Sequence, residues 1–148
     1  MTDSLGFLIG DVSRLLRRRF DERARAIGVT RAQWRTLAML NRNEGLNQGR
    51  LAELLEVEPI TLCRMVDRLE EAGHVERRRD PSDRRAWKIF LTAQSRPLIA
   101  QLRVIADELL KHALIGVAPD EQAQMARALD IIQTNLAGSG ENEAIAHG

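Results

Sequence analysis

Residues 47–92 decide the fold, and they read NQGRLAELLEVEPITLCRMVDRLEEAGHVERRRDPSDRRAWKIFLT. Asn47 is a suitable N-cap for a short helix over residues 48–55. After a brief polar connection, Pro59 suits the first position of a second helix, and Gly73 is a suitable stop for it. Two helices joined by a tight connection form a helix-turn-helix unit.

The chain changes character after this helix pair, from helical periodicity to strand-like segments. Residues 74–78 form one predicted strand, and residues 86–91 form a second with alternating faces. The polar stretch between them predicts a turn, so the two strands should pair as a hairpin, here called the wing. The sequence therefore predicts a mainly α protein with a small β-hairpin wing, the winged helix-turn-helix arrangement.

The second helix of the pair has two distinct faces, as a helix that enters the major groove requires. Its apolar residues recur at helical spacing, at Leu62, Met65, Val66 and Leu69. The opposite side of its first half offers other residues to base edges, namely Pro59, Ile60, Thr61 and Arg64. Arg64 can pair with a guanine, Ile60 or Thr61 can touch a thymine methyl, and Arg68 is better placed for a phosphate. An ordinary amphipathic surface helix would explain this pattern equally well. The choice between that explanation and a DNA-reading helix therefore depends on the wing.

The wing is rich in basic residues, at Arg77, Arg78, Arg79, Arg84, Arg85 and Lys88. Arginine suits phosphate oxygens and narrow minor grooves, so this composition favours double-stranded DNA as the partner. We expect Asp80 and Asp83 to brace the loop by accepting hydrogen bonds from backbone amides or arginines. The full set of predicted DNA contacts is Gln48, Pro59, Ile60, Thr61, Arg64, Arg68, Arg77, Arg78, Arg84 and Arg85.

Helical segments flank residues 47–92 on both sides. The first predicted helix covers residues 5–27, and the second begins at Thr30 and ends near Asn43. Thr30 and Gln33 have the spacing of a capping box, and the apolar residues Val29 and Trp34 lie on either side of its start. Two further helices are predicted, from about residue 94 to 116 with Thr92 as a cap, and from Pro119 to about Leu136. The predicted organisation is dimerisation helices at 1–29 and 93–138, a DNA-binding lobe at 30–92 and a flexible tail at 139–148.

Charge is distributed unevenly along the 148 residues. Residues 1–103 have 20 Lys and Arg against 14 Asp and Glu, a balance of +6, whereas residues 104–148 have 2 against 7, a balance of −5. A basic body suits a polyanionic partner and an acidic terminal segment does not.

A single cysteine excludes an internal disulfide and fits a reducing compartment. We found no signal-peptide pattern and no apolar run long enough to cross a membrane, so we expect a soluble, cytoplasmic protein.

The segment quoted above also resembles the multiple antibiotic resistance regulator (MarR) family. The wing pattern D-P-x-D-R-R-A-x-x-x-x-L-T, from Asp80 to Thr92, is typical of that family, and PITLCRMVDRLEEAG resembles its recognition helix. The stretch TRAQWRTL, which begins at Thr30, is similar to the SlyA-like branch. The resemblance implies a homodimer whose terminal helices interlock, bound to a pseudo-palindromic site. It also implies a repressor that releases DNA when a small aromatic, anionic molecule binds.

The long apolar stripes of the terminal helices agree with a dimer, because a lobe of this size cannot cover them all. The predicted interface residues are Leu5, Leu8, Val12, Leu109, Leu114, Leu129, Ile132 and Leu136. Candidate effector-binding residues are Arg14 and Arg17, either of which could bind a carboxylate. Trp34 is a third candidate, because its indole could line a cavity. The alternative for Trp34 is a core position beside Val29.

Three alternatives compete with a ligand-responsive repressor. A counter-silencing activator or architectural DNA binder, as some SlyA-like members are, is the main alternative to a repressor. A redox switch at Cys63 competes with a plain role as a small residue flanking the DNA backbone. A hydrolytic enzyme built on Cys63 and His74 is disfavoured because some eleven residues, about three helical turns, separate them.

None of the three histidines has the spacing of a metal ligand relative to another. They are His74, His112 and His147. We therefore expect no metal, no cofactor and no enzymatic activity.

Overall fold

The computed structural model describes residues 2–146, and side chains between residues 4 and 138. In this part of the chain the helices are α1 (Thr2–Ala26), α2 (Arg31–Arg42), α3 (Gln48–Leu55), α4 (Pro59–Glu71), α5 (Arg96–Ala113) and α6 (Pro119–Ala146). The strands are β1 (Leu46–Asn47), β2 (Val75–Arg79) and β3 (Trp87–Leu91). The predicted mainly α fold with a hairpin wing is confirmed.

The chain divides into two units, one up to Leu109 and one from Leu110 onward. The first unit contains α1 to α4, the sheet and most of α5. The second contains the end of α5 and all of α6. None of the described helices is long and apolar enough to cross a membrane.

The start of α2 has the capping box that its sequence predicts. The Thr30 hydroxyl accepts a hydrogen bond from the Gln33 amide at 3.2 Å, and the Gln33 side chain accepts one from the Thr30 amide at 3.0 Å. Val29 is buried and Trp34 packs against the core. Because these contacts satisfy amides that a helix leaves unpaired at its start, they fix where α2 begins.

The core of the first unit lies between α2, α3, α4 and the sheet. Its fully buried large side chains include Leu37, Leu40, Leu51, Leu62, Val66, Leu69, Val75 and Ile89. The apolar face predicted for α4 is therefore confirmed, with Met65 half-buried at its edge. Burying this face leaves the polar face of α4 on the outside.

The sheet has three antiparallel strands in the order β1-β3-β2. In β2, Arg77 pairs with Ile89 of β3, and β1 adds Leu46 beside Ile89 on the other edge. Gly45, just before β1, has a φ of +79°, and a Cβ there would lie 3.0 Å from the Phe90 ring. Glycine is thus required where the chain turns into the sheet.

Several boundaries differ from the sequence-based expectations. A short 3-10 helix, Ala93–Ser95, precedes α5, and Thr92 takes its N-cap position without a capping hydrogen bond. The Thr92 hydroxyl donates instead to the Gly73 carbonyl. The last helix continues to Ala146, past the predicted start of a tail at residue 139. The flexibility of residues 139–148 stays a prediction, and residues 147–148 lie outside the described part.

Candidate nucleic-acid interface

In the first half of α4, no side chain on the outer face forms a hydrogen bond or an ion pair with another described residue. Pro59 is the first helical residue, and Ile60 has 64% of its surface exposed. Thr61, Arg64 and Arg68 are also exposed. Within the described residues, neither of these two arginines has a side-chain hydrogen bond or an ion pair, so their guanidinium groups are available to an external acceptor.

The two aspartates of the wing loop brace it as predicted. Asp80 accepts hydrogen bonds from the amide of Ser82 at 2.9 Å and from its hydroxyl at 2.7 Å. Asp83 accepts from the Arg85 amide at 3.0 Å. The two hydrogen bonds from Ser82 lower the pKa of Asp80, with the Ser82 hydroxyl as the largest cause and its amide the next. The Asp80 carboxyl group is therefore ionised at neutral pH and accepts both bonds from Ser82 in that form.

The arginines of the wing differ in how they are held. Arg84 and Arg85 at the tip are exposed, and their side chains bind no other described residue. Arg78 is exposed too, but its guanidinium lies 4.2 Å from the centre of the Phe90 ring and pairs with Glu76. Among the described wing arginines, only Arg84 and Arg85 are thus exposed with no hydrogen bond, ion pair or ring contact from their side chains.

Arg77 departs from its predicted role as a DNA contact. Only 13% of its side chain is exposed, because the guanidinium turns inward between β2 and α4. It pairs with Asp67 at 2.7 Å and with Glu70 at 3.1 Å, and donates to the Cys63 carbonyl at 3.2 Å. Its Nε donates to Gln48 Oε1 at 3.1 Å. Arg77 therefore binds the protein itself.

Burial alone would lower the pKa of Arg77, and it is the largest single influence on that group. The hydrogen bonds and charges of Asp67, followed by those of Glu70, outweigh burial and raise the pKa above its ordinary value. The guanidinium is thus permanently charged, and two carboxylates of α4 offset it.

Gln48 and Cys63 line the same cleft as Arg77. The cleft encloses about 380 Å³, and its other lining residues are Asp67, Glu70 and Trp87. Gln48, a predicted DNA contact, is half-buried with its carbonyl oxygen occupied by Arg77. Cys63 is a half-buried free thiol, with Sγ 3.8 Å from Arg77 Nη2. The described residues contain no cluster that could hold a metal ion, and His147 lies outside them.

The described cleft beside α1 is lined by Arg14 but not by Arg17 or Trp34. Trp34 packs on Phe20 with ring centres 4.5 Å apart, and its indole N–H donates to Asp21 at 2.6 Å. Arg14 lines a charged cleft of about 430 Å³ between α1 and the start of α2. Its other lining residues are Arg18, Asp21, Glu22, Arg25 and Arg31. Arg17 is exposed and lies outside that lining. The core alternative for Trp34 is the one that its contacts favour.

The predicted dimer residues fall into two groups. Most are exposed apolar side chains, namely Leu5, Leu8, Val12, Leu129, Ile132 and Leu136. By contrast, Leu109 has only 6% of its surface exposed and Leu114 is half-buried. Sequence reasoning missed Phe7, which is 76% exposed on α1. Burial of Leu109 within one chain leaves it little surface for a partner.

A winged helix-turn-helix lobe with free arginines on its second helix and wing tip defines a DNA-binding protein. A family model described as the MarR family matches residues 27–86. The chain is 36% identical to transcriptional regulator PA3341, with 90% of this chain and 98% of that one covered and a TM-score of 0.77. The chain belongs to the MarR family of transcriptional regulators, which are not enzymes.

Two further solved structures are similar. A MarR transcriptional regulator from Methanosarcina mazei Go1 is 25% identical, with 92% of this chain and 98% of that one covered and a TM-score of 0.81. A mutant MarR from E. coli, solved in complex with operator DNA, is 27% identical over 87% of this chain and 93% of that one, with a TM-score of 0.70. The fold and the DNA-binding class are therefore shared over most of the chain.

Proposed function

We propose that this MarR-family regulator is a homodimeric, sequence-specific repressor that binds a pseudo-palindromic operator in the cytoplasm. The observation that carries the proposal is a set of four exposed arginines, on α4 and the wing tip of one lobe, whose side chains have no hydrogen bond or ion pair with another described residue. They are Arg64 and Arg68 on α4 and Arg84 and Arg85 at the wing tip. Cations left without internal partners on a helix and an adjacent hairpin suit the two grooves and the backbone of a duplex.

In this proposal α4 enters the major groove with its first half. Arg64 donates to a guanine, while the exposed Ile60 and the Thr61 methyl contact thymine methyl groups. Arg68, a turn further along, binds a phosphate. Pro59 completes the apolar start of the helix, where no acidic side chain in the first turn opposes DNA.

The wing supplies the second contact. Arg84 and Arg85 lie on a loop that Asp80 and Asp83 hold in one conformation, so little ordering remains when they meet phosphates or a narrow minor groove. Arg78 can contribute from its stacked position on Phe90. We leave Arg77 out of the contacts, whereas Gln48, whose Oε1 accepts from Arg77, can still contribute through its amide nitrogen.

The dimer is supported by the exposed apolar residues of α1 and α6. Leu5, Leu8 and Val12 are all more than half exposed on α1, and Leu136 is 71% exposed on α6. Apolar stripes of this kind are usually covered by a partner. Two-fold pairing presents two lobes to half-sites one helical turn apart, roughly 34–36 Å, which gives a palindromic operator.

The effector part of the proposal rests on Arg14. Its cleft is open to solvent and lined by four arginines and two acidic residues, and this excess of positive charge suits the carboxylate of a small aromatic acid. Arg17 lies on the same helix, but no described contact links it to the cleft. Trp34 remains in the proposal only as a support beneath the helix α1.

A selection of bound duplexes from a random pool, followed by footprinting, tests this function. A repressor should yield one compact palindrome, and a phenolic acid such as salicylate should weaken binding to it. Broad, strongly salt-dependent coverage without an effector response would instead favour a SlyA-like counter-silencing activator or an architectural binder. A purified chain that is monomeric and binds no duplex at low salt would refute both.

A further inference from the structure

We propose that Arg77 is a positioning residue, which sets the orientation of α4 relative to the wing without touching DNA. The proposal rests on the DNA-binding function above and concerns how that one surface is held. Its consequence is that Arg77 contributes to discrimination between sequences and hardly at all to general affinity for DNA.

The contacts of Arg77 join three elements. Its backbone belongs to β2, where it pairs with Ile89 of the wing's other strand. Its side chain binds α4 through Asp67, Glu70 and the Cys63 carbonyl, and the Glu70 carboxylate also accepts from the Arg77 amide at 3.1 Å. One side chain thus links the wing strand to two successive turns of α4.

The link to α3 comes from Arg77 Nε, which donates to Gln48 at the first position of that helix. Of the five N–H groups on a guanidinium, the Gln48, Glu70, Asp67 and Cys63 contacts use four. A lysine has three donors on one atom and cannot reach three elements at once. The arrangement therefore specifies arginine rather than positive charge alone.

The acidic partners show why the link affects recognition. Asp67 shares the outward side of α4 with Arg64 and Arg68, and 52% of its side chain is exposed. A carboxylate on that side repels a duplex, so electrostatics alone predicts that its removal strengthens binding to any DNA. If Asp67 instead holds Arg77, and through it the angle of α4, its removal weakens binding to the operator. The two explanations predict changes of opposite sign.

The test compares variants Asp67→Asn, Arg77→Lys and Arg77→Gln with the full-length wild-type protein. The probes are the duplex selected by the wild type and a scrambled duplex of equal length and composition, over a range of salt concentrations. The matched control is Glu71→Gln, which removes the same charge from an exposed position of α4 that has no described partner. Circular dichroism at the assay temperature confirms that each variant is folded.

We expect Asp67→Asn and both Arg77 variants to lose at least about fivefold in affinity for the selected duplex, the lower end of what one base contact supplies. Their affinity for the scrambled duplex should stay within about twofold of the wild type or rise, and Glu71→Gln should show no loss on either. Arg77→Lys keeps the net charge, so its loss of discrimination cannot be an effect of charge.

Two results would overturn the proposal. Tighter or equal binding of Asp67→Asn to the selected duplex would leave only a repulsive role for that carboxylate. Equal losses of Arg77→Gln on both duplexes, with a salt slope smaller by about 0.9 for each lost phosphate contact, would make Arg77 a phosphate ligand after all. If the wild type itself selects no sequence, the proposed function fails, and that result is distinct from either of these.

Discussion

The guanidinium of Arg79 lies over the Trp87 ring on the opposite strand, with its carbon 4.2 Å from the ring centre. The same guanidinium donates a hydrogen bond to the carbonyl of Arg84. Because Arg79 and Trp87 are also paired across the sheet, one side chain ties the last residue of β2 to the far side of the loop. The wing tip is therefore ordered before any DNA arrives.

Replacing Arg79 with alanine should loosen the tip without affecting the rest of the fold. We expect faster amide hydrogen exchange over residues 82–86 and a two- to fivefold loss of DNA affinity, about the 0.5–1 kcal/mol of an exposed cation–π contact. The control for hydrogen exchange is Arg78→Ala, which removes an arginine stacked on Phe90 with no described bond to the loop and should leave exchange over residues 82–86 unchanged. Unchanged exchange in Arg79→Ala would contradict the ordering role.

Arg64 and Arg84 should behave differently when each is replaced by alanine. Loss of Arg64 should cost about 1–3 kcal/mol on the selected operator and relax the preference at one base position, if it reads a guanine. Loss of Arg84 should weaken binding almost uniformly across sequences and make it less salt-dependent. Anisotropy titrations on operator variants separate the two effects. Equal, sequence-independent losses would show that α4 does not read bases.

The helix caps of the lobe, and the buried and exposed faces of its helices, could be predicted because they depend on residues close together in sequence. The capping box joins Thr30 to Gln33, and the Asn47 side chain accepts from the Gly49 amide at 2.8 Å, two residues away. The outward position of Arg64 follows from helical periodicity alone. In each case the spacing along the chain fixes the geometry.

The network around Arg77 could not be predicted in the same way. Its partners Glu70, Cys63 and Gln48 lie 7, 14 and 29 residues away, so only the packed fold brings them together. Because the wing as a whole is basic, its composition predicts the same DNA-contacting role for Arg77 as for its exposed neighbours. The two-residue strand β1 was missed for a similar reason, since Leu46 pairs with Ile89 far along the chain.

The pKa of Asp80 gives a prediction about pH. Hydrogen bonds from Ser82 lower this pKa below the ordinary 3.8. A carboxyl with a lowered pKa stabilises the folded loop above its unfolded-state pKa, and the contribution is lost as pH falls through the folded value. Because the folded-state pKa lies below 3.8, we expect the Asp80 carboxylate to keep bracing the loop as the pH falls to 3.8, and Ser82→Ala to move the pKa back toward 3.8. Carbon-13 NMR titration of the Asp80 carboxyl measures this, and a pKa at or above 3.8 in the wild type would contradict it.

The exposed apolar stripe of α1 should be required for the dimer. A double variant, Leu8→Glu with Val12→Glu, places two charges on side chains that are 58% and 53% exposed, so a single chain should tolerate them. We expect light scattering to show a monomer with unchanged helicity. Ile60→Gln, which changes an exposed apolar residue of α4, should remain dimeric and alter only DNA binding. A dimer that survives the double variant would place the interface elsewhere.

Variants of Trp34 and Arg14 should affect different properties: Trp34→Phe the stability of the fold, and Arg14→Ala the response to an effector. Trp34→Phe keeps the ring on Phe20 but removes the indole N–H that donates to Asp21, which also pairs with Arg31 at 2.8 Å. Loss of a hydrogen bond to a charged group should lower the free energy of unfolding by about 1.5–3 kcal/mol, measured by urea denaturation. Arg14→Ala should leave stability almost unchanged, because its ion pair with Asp11 is exposed and contributes little. It should instead weaken the release of operator DNA by salicylate. If Trp34→Phe abolishes that release while stability is unchanged, Trp34 belongs to the effector site and its assignment to the core is wrong.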